Sequence, residues 1–326
     1  MQSDALLRIS GAIEGVPVTV FAADGYPLAA TWFVPERGKA RGTVIVHGAT
    51  ATPAAFYRRF ARFLASRGLR ALTYDYRGIG GSRRASLDGV RTAMSDWALL
   101  DARAMHAHAR TCFPGEPVAV VGHSFGGQLL GLLDEAGDAR GAVLVAAQFG
   151  YYGHWPLPAR AWIAFAWKVV VPVLAALLDY VPGALLRIGE DLPSGVARQW
   201  ARWCSHPDYY LGDHPDARAR LAAFDRPTLF YSFTDDHFAP EPAVASLLEH
   251  LPAARLDHQR IDPADHGGDP IGHFGFFRAH LAAHFWPAAA DFLSDTLAGI
   301  TPAPQERSGR FRISDDVMAD LQFGRP

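Results

Sequence analysis

Cysteine is nearly absent: the 326 residues hold two, Cys112 and Cys204. They lie far apart and match no metal or redox spacing, which excludes a disulfide scaffold or a zinc module and leaves them as expected packed thiols. An excess of charge is missing too. Lys and Arg number 31 against 33 Asp and Glu, for a net charge of -2, so no basic surface for nucleic acid is expected. The first residues, MQSDALLRIS, have no basic region followed by a long apolar core. A cytoplasmic protein is therefore expected. The glycine-rich loop Arg77-Gly78-Ile79-Gly80-Gly81-Ser82 lacks the Lys-Ser/Thr of a phosphate-binding loop, and no helix starts directly after it. Neither a cofactor nor a metal is expected.

What is present is ordinary globular composition, 49% apolar and 20% charged, in a chain long enough for one large domain plus an insertion. Two short strand patterns, VPVTVFA and PLAATWFV, flank an Asp24-Gly25 turn. Continuous apolar runs follow at Thr43–Val46, Leu69–Tyr76, Pro117–Val121 and Gly141–Ala147, each separated from the next by a helical pattern. Such alternation predicts a mostly parallel sheet covered by helices on both faces. It breaks from Gln148 to about Phe224, a stretch rich in Trp and Tyr without a clear strand signal, and resumes at Arg226–Phe233. A helix near 241–250, a strand near 255–261 and a final helix from about Phe274 to Phe285 complete the pattern. The expected organisation is a core of residues 1–147 and 225–286, a helical cap at 148–224 and a C-terminal extension at 287–326.

The chain is organised around Pro117 to Leu130, PVAVVGHSFGGQLL. A β-branched run enters Gly122-His123-Ser124-Phe125-Gly126, and an apolar helical pattern leaves it. A serine on so tight a strand-to-helix turn has a strained backbone, and side chains two residues to either side would collide with the neighbouring strand and helix. Glycine at 122 and 126 relieves both collisions. Ser124 is thereby presented as a nucleophile, and the Phe125 N–H lies at a helix N-terminus, where a developing negative oxygen is favoured. Upstream, the Thr43–Val46 strand ends in His47-Gly48-Ala49-Thr50. There the Ala49 N–H is the second expected oxyanion donor, with the Thr50 N–H or hydroxyl as fallback.

A serine hydroxyl needs a base, and the base needs an orienting acid. On this topology the order Ser, acid, His is expected. After the Arg226–Phe233 strand stands Thr234-Asp235-Asp236-His237-Phe238-Ala239-Pro240, where charge alone allows either aspartate. After the last strand stand Asp265-His266-Gly267 and Gly272-His273-Phe274. His273, just before the final helix, is the favoured base and His266 the runner-up. His123, His106 and His108 are expected to be structural or solvated.

One apolar stretch, Ala161 to Leu178, has the length of a membrane span. Lys168 in its middle, Pro172 and its place inside a closed fold argue instead for a Pro-kinked lid helix that gives no stable span. Shallow contact with lipid aggregates stays open.

Together, GHSFGG, HGA, the Asp236 to Pro240 spacing and GHF resemble the α/β-hydrolase superfamily over about residues 16–286. The wording of IGHFGFFR and QWARWCSHPDYY is similar to bacterial serine hydrolases of the hydrolase-4 and monoglyceride-lipase type. The resemblance implies an α/β-hydrolase fold with a helical cap, and selects Asp236 as the acid because it lies four residues before a proline. It further implies a cofactor-free triad of Ser124, Asp236 and His273, with Ala49 and Phe125 as the oxyanion hole. The expected activity is hydrolysis of a small carboxylic ester with a hydrophobic acyl or alcohol group. An acyltransferase with the same triad and a non-catalytic binding protein are the alternatives, and a homo-oligomer stays open.

Overall fold

The computed structural model describes residues 13–302 except 37, 85, 88 and 187. The Asp24-Gly25 turn joins β1 (Val16–Phe21) to β2 (Pro27–Phe33) as an antiparallel hairpin. β3 (Thr43–His47) leads through a 3-10 turn, Ala54–Tyr57, into α1 (Arg58–Ser66), whose apolar stripe Phe60, Ala61, Leu64 and Ala65 is buried. After β4 (Arg70–Tyr74), a helical stretch begins at Met94–Asp96, widens into a π-turn at Trp97–Ala102 and continues as α2 (Arg103–Cys112). β5 (Val118–His123), α3 (Phe125–Leu132) and β6 (Ala142–Val145) follow.

The insertion contains α4 (Ala159–Phe165), a π-turn at Ala166–Val170 and α5 (Val171–Leu177), which together form one continuous rod. The wide turn sits just ahead of Pro172, whose ring cannot donate to the preceding turn. Contrary to the expectation of no strands here, β7 (Tyr180–Val181) and β8 (Leu192–Pro193) pair as a two-residue antiparallel ribbon. So short a ribbon leaves no periodicity to read. α6 (Ser194–Cys204) and α7 (Pro215–Ala223) close the insertion. The core resumes with β9 (Pro227–Phe233), α8 (Glu241–Leu248) and β10 (Arg255–Ile261).

The last helix, α9 (Ala282–Leu297), corrects the expected one at 274–285. Residues 275–277 and 279–281 are short 3-10 turns instead. Phe292, Leu293 and Leu297 are buried with Val44, Val121 and Val143 of the sheet, so the expected boundary at 286/287 falls inside a core helix. Pro287 lies in the second turn of α9.

The strands form one eight-stranded sheet in the order β1-β2-β4-β3-β5-β6-β9-β10. From β4 to β10 all neighbours are parallel, and only the β1-β2-β4 edge is antiparallel. Two buried clusters lie on its opposite faces, one around Trp97 and Leu129, the other around Phe60 and Leu293. β3, β4, β6 and β9 are buried along their whole length, as a sheet covered on both sides requires. In such sheets loops at the carboxyl ends of the strands gather into one crevice. The ends of β3, β5, β9 and β10 carry the residues singled out above.

Candidate active site

Ser124 stands between β5 and α3 with φ 52° and ψ -116°. A non-glycine residue holds that conformation only when its surroundings enforce it. They do so here from both sides. The Ser124 N–H donates to the Val145 carbonyl of β6 at 2.9 Å, and its carbonyl accepts from Gly127 N–H at 3.0 Å. The steric expectation for the glycines also holds. A Cβ on Gly126 would lie 2.1 Å from the His47 carbonyl oxygen, and one on Gly122 2.5 Å from the Gly127 Cα. Phe125 is the first residue of α3. Its N–H is among those that no helical carbonyl can satisfy.

The Asp235-Asp236 pair divides in two. Asp236 is buried, and its Oδ2 lies 2.7 Å from His273 Nδ1. Its Oδ1 accepts from the Phe238 and Ala239 N–H groups at 2.8 and 3.1 Å. A carboxylate can only accept, so Nδ1 of His273 carries the proton and Nε2 keeps a lone pair. Asp235 turns to the loop backbone instead. It accepts from the Ile271 and Gly272 N–H groups, each at 2.9 Å. Asp236 therefore orients the imidazole, and Asp235 clamps the two residues that precede it.

A buried relay ties this loop to the elbow. His123 Nε2 lies 2.8 Å from the His273 carbonyl oxygen, and His123 Nδ1 lies 2.9 Å from the Tyr57 hydroxyl. The carbonyl must accept, so His123 is protonated on Nε2 and its Nδ1 accepts from Tyr57. Burial drives the His123 pKa well below the ordinary histidine value, and the His273 charge adds to that. Tyr57, whose phenol burial pushes up, accepts in turn from the Ala49 N–H at 2.8 Å.

That last bond corrects the expected oxyanion hole. Ala49 N–H is directed into the interior toward Tyr57, which is 1% exposed. Among the described residues the N–H of Thr50, the fallback position, has no acceptor. The spacing of His-Gly-Ala could not reveal the partner eight residues on, because the 3-10 turn Ala54–Tyr57 must form before Tyr57 reaches Ala49.

Other sequence candidates separate cleanly. His266 packs against His284 and Phe285 of α9, with ring centroids 5.5 and 5.6 Å away. His47 and His106 stack in the interior with ring centroids 5.4 Å apart, and His47 Nδ1 lies 2.8 Å from the Tyr74 hydroxyl. Cys204 is buried as expected, but Cys112 is exposed. Among the described residues no cluster of three or more His, Cys, Asp or Glu is placed to hold a metal ion.

The insertion is pinned across these loops. Trp155 Nε1 donates to the His237 carbonyl at 2.9 Å, and Gln148 Nε2 to the Phe238 carbonyl at 3.2 Å. At its other end Glu190 N–H donates to the Ala51 carbonyl at 2.8 Å. The half-exposed Phe238 ring lies 5.3 Å from the His273 ring, and the Phe274 ring 5.1 Å from it.

Residues 38–196 match the profile of the family described as serine aminopeptidase, S33. No curated protein matches the chain. Among solved structures it is similar to a 2,6-dihydroxy-pseudo-oxynicotine hydrolase, with 17% identity and a TM-score of 0.59 over 90% of this chain and 71% of that one. It is similar as well to an esterase from Exiguobacterium antarcticum, with 17% identity and a TM-score of 0.56 over 85% of this chain and 99% of that one. The esterase Est1E from Butyrivibrio proteoclasticus, solved with ferulic acid, gives 16% identity and a TM-score of 0.57 over 86% of this chain and 99% of that one.

Proposed function

The chain is an α/β hydrolase by fold, and from that premise we propose that it is a serine hydrolase cleaving carboxylic esters with a hydrophobic acyl or alcohol group. The observation that carries this reading is the 2.7 Å contact between Asp236 and His273, on a loop bonded to the residue before Ser124. It leaves the Nε2 lone pair of His273 free to act as a base.

In this reading Ser124 Oγ attacks the ester carbonyl carbon while its proton passes to His273 Nε2. Asp236 holds the Nδ1–H and stabilises the imidazolium. The N–H groups of Phe125 and Thr50 receive the tetrahedral oxyanion, where each donor contributes on the order of 3 kcal/mol. Collapse breaks the bond to the leaving alcohol, which takes the proton from His273. Water then attacks the acyl-enzyme by the same route, releasing the acid and restoring Ser124. Residues 148–224 serve as the cap over the core of 13–147 and 225–297. Its aromatic character and the exposed Phe238 beside His273 favour an apolar substrate group.

The test treats wild type and Ser124→Ala with a fluorophosphonate probe and assays both on p-nitrophenyl esters of graded chain length. Labelling and turnover should be confined to wild type, with kcat/KM rising as the acyl chain lengthens. Equal labelling of both proteins would remove Ser124 as the nucleophile. Product analysis with added alcohols separates hydrolysis from acyl transfer.

A further inference from the structure

The continuous rod Ala159–Leu177 is long and apolar enough to cross a membrane, yet only 11% of it is buried inside the protein. Its exposure follows a helical rule. Trp162, Phe165, Val169, Val173 and Leu177, spaced three or four residues apart, are 67%, 48%, 43%, 48% and 76% exposed. At 1.5 Å per residue this stripe runs about 22 Å along one face. Isolated exposed apolar residues need no explanation, but a contiguous row this long marks a contact surface.

The opposite face is held by the protein. Val171 and Ala175 are buried, Trp167 lies 4.6 Å from Trp200 of α6, and Arg198 donates to the Ala175 carbonyl at 2.6 Å. A rod fastened through its second half cannot leave as a whole to span a bilayer. It can only present its outer face to one.

Charge decides what covers that face. From Leu157 to Leu178 the charged residues are Arg160 and Lys168, both positive and both exposed. Arg160 donates to the Trp155 carbonyl and Lys168 to the Tyr152 hydroxyl. Among the described residues neither has a carboxylate partner. A second copy meeting this stripe with its own would bring two more cations against a single carboxylate, the exposed Asp179 just past Leu178. Anionic phospholipid headgroups supply the missing charge, and the acyl boundary accepts the Trp and Phe side chains.

We propose that the outer face of α4 and α5 docks on an anionic phospholipid surface, with Trp162, Phe165 and Leu177 immersed and Arg160 and Lys168 at the headgroups. Docking concerns the cap alone and holds whether or not Ser124 reacts. The test floats the full chain with phosphatidylcholine vesicles, with and without phosphatidylglycerol. Wild type and Ser124→Ala should float alike, more strongly with phosphatidylglycerol. A Trp162→Gln/Phe165→Gln/Leu177→Gln variant with an unchanged thermal midpoint should bind at least about tenfold more weakly to both vesicles. Arg160→Gln/Lys168→Gln should lose about tenfold or more on the anionic vesicles alone. Failure of wild type to float, or equal flotation of the triple variant, overturns the proposal. So does a concentration-dependent dimer in sedimentation velocity that the triple variant abolishes without any change in flotation.

Discussion

Asp235 and Asp236 are adjacent, identical in chemistry and different in task. Asp236 meets the ring of His273, whereas Asp235 meets the backbone of Ile271 and Gly272. Their substitutions should therefore fail differently. Asp236→Asn should lower kcat about 10⁴-fold, because an amide in place of the carboxylate favours the wrong imidazole tautomer. Asp235→Ala should lower kcat roughly 100-fold with KM little changed, since a misplacement of about 1 Å in the base costs that much. Asp235→Asn keeps one acceptor and should recover part of the loss. Steady-state kinetics on one ester checks all three, and a larger loss from Asp235→Ala than from Asp236→Asn would reverse the assignment.

At the scale of elements, α3 approaches the end of β3 so closely that it tolerates no side chain at Gly126. Gly126→Ala would drive a Cβ into the His47 carbonyl at the end of β3. Because backbone cannot rotate aside, the elbow must shift, at a cost of about 1–3 kcal/mol in stability. Probe labelling of Ser124 should fall by more than the unfolded fraction accounts for. Thermal melting and labelling of the same sample separate the two effects, and full labelling at an unchanged midpoint would show that the glycine is dispensable. Much of this joint was legible in the sequence, since the Gly-x-Ser-x-Gly spacing encodes a local collision. The relay from Ala49 through Tyr57 and His123 was not, because its members come from three elements and no local pattern marks them.

Across the whole molecule, three neutral histidines are locked inside the α/β core. Burial lowers His47 to about 3 and carries His106 and His123 well below the ordinary value. In the unfolded chain these imidazoles bind protons near pH 6.5, while in the folded chain they do so only at far lower pH. Over that interval the unfolded state holds more protons, so stability falls as pH drops below about 6.5. Each group contributes up to about 1.4 kcal/mol per pH unit. Urea unfolding between about pH 7.5 and pH 5 should show the midpoint falling steeply on the acid side. A flat profile would mean that the three rings are hydrated or charged in the native state.

Local sterics and periodicity suffice to determine the alternation of strand and helix and the tight Gly-x-Ser-x-Gly turn at Ser124. Each depends on neighbours a few residues apart, so it is written in spacing. Charge left the two aspartates open and only the resemblance chose Asp236, whereas tertiary structure alone decided that Ala49 N–H is taken by Tyr57 and that the apolar rod of the insertion turns its stripe outward. Those outcomes depend on which surfaces meet after folding. A run of apolar residues looks the same in sequence whether its partner is the core or the solvent.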